Sequence, residues 1–162
     1  MTQAQSALRV TLPSDLEIVM TRVFNAPRRL VFNAWTKPEL LKQWFGRRGD
    51  TLSVCEVDLR AGGAYRFVFA LREGGEMGMG GVYKEILPPE RLVSTEAFDD
   101  YVEMGGESLN TLVFEERDGK TVMRITARYP SKETRDAVIE SGMEGGAGES
   151  FDRLAELVET LS

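Results

Sequence analysis

The sequence predicts an α+β domain, on three observations. Six segments between residues 52 and 129 alternate apolar and polar side chains, two short helical patterns stand before them, and a helical apolar stripe closes the chain. The length of 162 residues suits one domain. Hydrophobic residues make up 42% and charged residues 28%, so the chain can enclose a core and falls outside the disordered and fibrous classes.

Residues 1–15 are polar, lack the basic, apolar and small-residue segments of an export signal, and read as a flexible leader to a single domain over residues 16–162. The first strand is expected in residues 17–24 (EIVMTRVF), rich in β-branched and aromatic side chains and stopped by Asn25-Ala26-Pro27. Pro27 suits a first helical turn, where its missing N–H goes unused, and Leu30, Val31, Ala34 and Trp35 then share one face. Thr36 and Glu39 have capping-box spacing, with Leu40, Leu41, Trp44 and Phe45 forming a second stripe, so two short helices stand in tandem.

Strands follow in LSVCEVDL, AYRFVFAL, the stretch around GVYKEIL, RLVSTEAF, SLNTLVFEE and TVMRITARY, which brings the total to seven. AGG, REGG, PPE and RDGK supply the turns between them, and Asp118-Gly119 is a strong hairpin signal, so an antiparallel meander is the simplest path. Ser131 can cap the segment SKETRDAVIES, which ends at Gly142. A long terminal helix then sets Phe151, Leu154, Leu157, Val158 and Leu161 on one side.

Twenty-six acidic residues against twenty basic ones give a formal charge of −6, and no field here attracts nucleic acid. The absence of a run of about 18 apolar residues argues against a membrane-spanning helix. There is no histidine and one cysteine. That removes serine–histidine and cysteine–histidine nucleophiles and the usual zinc ligand sets, and it permits no internal disulfide. Cys55, inside a strand, reads as a small core residue, and no catalytic residue, metal site or cofactor is expected. A cytoplasmic location is the expectation.

Residues 74–81, GGEMGMGG, have the glycine content of a phosphate cradle. Such a cradle leads into a helix N-terminus, whereas this stretch leads into the strand VYKEIL. It therefore reads as a hairpin turn at Gly74-Gly75 followed by a bent, weakly stiffened strand carrying Met77 and Met79 on one face.

Taken in order, RVFNAPRRLVFNAWTKPELLKQWF, EVDLRAGGAYRF, GVYKEILPPERLVSTE and RDAVIESGM followed by FDRLAEL resemble the bacterial homologues of the heat-shock-protein ATPase activator, within the START and pollen-allergen helix-grip superfamily. The resemblance covers nearly all of residues 16–161. It implies a helix-grip fold, a seven-stranded curved antiparallel sheet around the C-terminal helix, with two short helices and a cavity between sheet and helix. That cavity often receives an apolar ligand, and the superfamily also contains polyketide cyclases and chaperone activators. Two departures stand out: Gly46-Arg47-Arg48-Gly49 replaces a proline-containing segment, and Ala147, within GGAGES, sits where relatives carry a bulky residue. Both are expected to loosen one mouth of the cavity, with the start of the last helix frayed or displaced.

The expected ligand-binding wall comprises Trp44, Phe45, Tyr65, Phe67 and Phe69, then Met77, Met79 and Tyr83, then Phe114, Met123, Phe151 and Leu154. The same residues could equally fill a solid core. Glu85 shares the parity of Tyr83, and two readings compete: a salt bridge to Arg91 across the PPE turn, which is favoured, or a ligand anchor inside the cavity. Asp58 and Arg60 clamp a hairpin or rim the pocket, and the row Arg124, Thr126, Arg128 is a solvated face. The leading functional expectation is a binding protein for a small apolar or amphipathic molecule, ahead of a chaperone-partner domain and of a cyclase- or dehydratase-like enzyme. A monomer or a homodimer would serve any of these.

Overall fold

The computed structural model describes residues 7–100 and 107–161. Eight strands form one antiparallel sheet in the order β1-β2-β8-β7-β6-β5-β4-β3. They are β1 (Arg9–Thr11), β2 (Glu17–Phe24), β3 (Thr51–Val57), β4 (Ala64–Ala70), β5 (Glu76–Leu87), β6 (Arg91–Phe98), β7 (Ser108–Arg117) and β8 (Lys120–Arg128). Helices α1 (Arg28–Thr36) and α2 (Pro38–Trp44) separate β2 from β3, while α3 (Lys132–Glu140) and α4 (Met143–Thr160) follow β8.

The sheet thus has eight strands rather than seven. The added one, β1, comes from the segment read as a leader and pairs with β2 from Arg9↔Thr21 to Thr11↔Val19. Residues 1–6 of that segment lie outside the described residues. The segment after Pro130 forms a helix of its own, α3, which a count of two short helices and one long omits; Ser131 caps it, its Oγ accepting from Thr134 N–H at 3.1 Å.

Alternation in the strands decides which side of the sheet is buried. In β4 Tyr65, Phe67 and Phe69 face inward, and in β8 Thr121, Met123, Ile125 and Ala127 do the same. The core they join is solid around Phe24, Trp44, Phe114, Met123 and Leu154. Trp44 donates its indole N–H to the Ala34 carbonyl at 2.9 Å, which locks α2 against α1, and its ring meets Trp35 edge-on at 4.8 Å. α4 seals this side with Phe151, Leu154 and Val158. A buried arginine ties it to β2: Arg22 donates to Asp152 at 2.7 Å, with its guanidinium 5.6 Å from the Phe24 ring.

The GGAGES segment lies inside α4, which begins upstream at Met143. A Cβ added at Gly145 or Gly148 would meet no atom within 4 Å. Helical glycine costs about 0.5–1 kcal/mol relative to alanine. Gly145→Ala with Gly148→Ala is therefore expected to raise stability by about 1–2 kcal/mol in urea denaturation; an unchanged midpoint would show that these residues are not helical in solution.

Candidate functional site

The inward faces of the sheet and the first turns of α4 do not meet everywhere. Between them lies a cavity of about 670 Å³, within the range of small-molecule sites. One wall is aromatic: Trp35 from α1, Phe45 after α2, Phe67 and Phe69 from β4, and Phe151 from α4. The Phe45 ring stands 5.3 Å from each of Phe67 and Phe69, in edge-on contacts favourable to aromatic quadrupoles. Opposite, β5 contributes Met77, Met79 and Tyr83. At α4 the lining residues are small, Gly145, Gly146 and Ala147, one turn before Phe151, and this absence of bulk leaves the space open.

A polar cluster lies across β6 and β7. Ser94 pairs with Asn110 and Glu96 with Ser108 in the β6–β7 register, and Ser94, Glu96 and Asn110 all line the cavity. Ser108 Oγ donates to Asn110 Oδ1 at 2.8 Å, which leaves the Asn110 amide N–H groups for the Glu96 carboxyl. Burial pushes Glu96 up to about 7, and the hydrogen bond from Asn110 opposes that rise. Tyr65 donates its hydroxyl to the Thr95 carbonyl at 2.6 Å. Burial, with the Glu96 charge adding to it, raises the Tyr65 and Tyr129 phenols.

Charged residues also line the cavity beside the turn before β3, but they are paired. Arg47 holds Asp50 at 2.9 Å and Glu73 at 2.8 Å, and Arg72 holds Glu149 of α4 at 3.0 Å. Burial disfavours the Asp50 charge, yet hydrogen bonds from Arg47 and the Arg72 N–H keep its carboxyl below the usual range. Gly46-Arg47-Arg48-Gly49 thus ties that turn to the β4–β5 turn, through Glu73 and Arg72, and to α4: Arg48 pairs with Glu156, and the Gly46 N–H bonds Ser150 Oγ at 3.0 Å.

Phe45, Tyr65, Phe67, Phe69, Met77, Met79, Tyr83 and Phe151 come together around the cavity. Trp44, Phe114, Met123 and Leu154 do not; each is fully enclosed in the packed core behind it. Glu85 is also placed elsewhere, half exposed and bonded to Arg91 Nε at 2.5 Å. A bulge between Tyr83 and Glu85 breaks the parity on which its inward reading depended. Asp58 and Arg60 pair at 2.9 Å on the exposed β3–β4 turn. The Gly74-Gly75 turn has positive φ at both residues, and β5 then pairs with β4 from Glu76 to Val82. Gly78 lies beneath the Arg66–Asp99 ion pair, so this glycine marks a close approach rather than a gap in the ladder.

Trp35, Ser94, Glu96, Asn110 and Tyr129 are among the lining residues absent from the expected wall. The signal for Glu96 was present: in RLVSTEAF it shares parity with Leu92 and Phe98, both of which line the cavity.

The sequence profile described as "Activator of Hsp90 ATPase homolog 1-like protein" matches residues 25–159. A crystal structure of a protein from Rhodobacter sphaeroides is 30% identical with a TM-score of 0.88, covering 96% of this chain and 100% of the other. A protein of Chromobacterium violaceum is 30% identical over 88% of this chain and 97% of its own, with a TM-score of 0.76. One from Nitrosomonas europaea is 25% identical over 92% and 97%, with a TM-score of 0.81. No curated protein matches the chain. Among the described residues, no helix is long and apolar enough to cross a membrane.

Proposed function

The chain belongs to the family of activator of Hsp90 ATPase homolog 1-like proteins, and from that premise we propose that it is a cytoplasmic binding protein for a small amphipathic molecule. The observation that carries this reading is a cavity of about 670 Å³ with an aromatic and methionine wall and a compact polar cluster. Apolar burial supplies affinity at roughly 25 cal/mol per Å², less the cost of ordering the ligand. Methionines at 77 and 79 adapt to ligand shape, and Ser94, Glu96 and Asn110 orient its polar group. The alternative, a chaperone-partner surface, derives its support from the family alone.

The test uses 1-naphthalenemethanol, an aromatic body with one hydroxyl, and reads its fluorescence on titration with the protein. Ala147→Trp places an indole in the space at the α4 wall. The variant is expected to weaken binding at least tenfold while retaining the wild-type circular dichroism. Equal affinity in the two proteins would put the ligand outside the cavity and sink the reading. If the probe and a panel of lipids and polyketide-like aromatics all fail to bind, stimulation of a purified chaperone ATPase becomes the surviving hypothesis.

A further inference from the structure

We propose that the occupant of the cavity carries a single protonated amine on an apolar body, and that Glu96 is the residue that selects it. This inference rests on the ligand-binding reading above and adds the charge of the ligand. Among the charged residues lining the cavity, Arg47 pairs with Asp50 and Glu73 and Arg72 with Glu149, all within 3.0 Å, which leaves Glu96 and the exposed Asp100 as the lining carboxylates outside these pairs. Glu96 stands apart from that network and has no ion pair among the described residues. None of the twenty lysines and arginines falls in residues 1–6, 101–106 or 162, so no basic side chain outside the description can neutralise it.

The hydrogen-bonding groups around Glu96 are uncharged, and the charged groups nearby, Asp100 in the lining and Glu107 next to Ser108, are carboxylates rather than cations. Asn110 and Ser108 come from β7, Ser94 from its own strand, Tyr65 from β4 and Tyr129 from the end of β8. The cavity lining from the end of α3 and the start of α4 includes Val138, Ser141 and Met143, which are also uncharged. Asn110 offers one kind of donor, and the remaining carboxylate lone pairs have no cationic partner. A protonated amine supplies both the donors and the compensating charge. An anionic ligand would bring a second negative charge to a site without a free cation. A neutral alcohol would leave the carboxylate uncompensated.

Three ligands with the same ring test this: 1-naphthylmethylamine, 1-naphthalenemethanol and 1-naphthoic acid, titrated at neutral pH into wild type and Glu96→Gln. The amine is expected to bind wild type at least tenfold tighter than the alcohol, with the acid weakest. Glu96→Gln should abolish the amine preference, bringing the amine and alcohol affinities of the variant within about threefold of each other, while a circular dichroism spectrum matching wild type reports that the variant is folded. In wild type, the largest amide shifts caused by the amine should fall at residues 94–97 and 108–111, a readout independent of any variant. Equal binding of the three ligands, or preference for the acid, overturns the inference and leaves the ligand-binding reading standing. An amine preference that survives Glu96→Gln, or shifts confined to Arg72 and Glu149, also overturns it by assigning the preference to another site. If none of the three binds, both readings fall.

Discussion

Gly81→Ala is expected to destabilise the protein by about 3 kcal/mol or more, in the range reserved for changes that break a packed contact. An alanine Cβ at this position would lie 2.0 Å from the Thr95 carbonyl oxygen and 2.7 Å from its carbon. Those are backbone atoms of the neighbouring strand and cannot rotate aside. Thr95 is also held in place twice, since its carbonyl accepts the Tyr65 hydroxyl at 2.6 Å and its Oγ1 accepts the Val82 N–H at 2.9 Å. Relief requires β5 and β6 to part, and that would disturb Glu96, the next residue along β6. At about 2–4 °C per kcal/mol for a domain of this size, the melting temperature should fall by roughly 6–12 °C. Gly148→Ala is the matched control, because its Cβ meets open space and its expected change has the opposite sign. A loss below about 1 kcal/mol for Gly81→Ala would show that the two strands are not held at this spacing.

The contrast between these two glycines explains part of what could be read from the sequence. Composition marks GGEMGMGG as flexible, but the reason for Gly78 and Gly81 lies in residues far along the chain, the Arg66–Asp99 pair and the Thr95 carbonyl. Long strands with regular alternation, such as β4 and β8, were legible because one face is uniformly apolar. β1 was not, because three residues are too few to show a period and its pairing to β2 is a tertiary fact. For the site, parity sets Tyr65, Phe67 and Phe69 on one face of β4, and all three line the cavity. It failed at Glu85, where a bulge reverses the faces of β5, leaving Ile86 packed on the core. It gives no apolar signal at Ser94, Glu96 and Asn110, where polar residues at inward positions interrupt the pattern that marks a core.

Glu96→Gln is expected to stabilise the protein at pH 8 and to leave it unchanged near pH 4.5. Burial raises the Glu96 carboxyl from its ordinary 4.5 to about 7 in the folded chain. Between those values the folded state holds a proton that the unfolded state has released, so stability falls as pH rises. The favourable contribution is complete below about 4.5 and is lost as pH passes through about 7, after which the difference is constant. That displacement corresponds to roughly 3 kcal/mol at most. Glu96 keeps part of its surface exposed, which screens some of that cost, so about 2 kcal/mol is expected, or roughly 4–8 °C in melting temperature. The arginine-paired carboxylates Asp50, Asp99 and Glu149 have the opposite linkage, stability lost as pH falls, but they are common to both proteins and cancel in the difference. Identical differences between variant and wild type at pH 4.5 and pH 8 would show that Glu96 is not buried without a countercharge. If the predicted divergence is found, the same unfavourable charge that limits stability of the empty protein at pH 8 becomes the source of selectivity, because a cationic occupant removes it and a glutamine leaves nothing to remove.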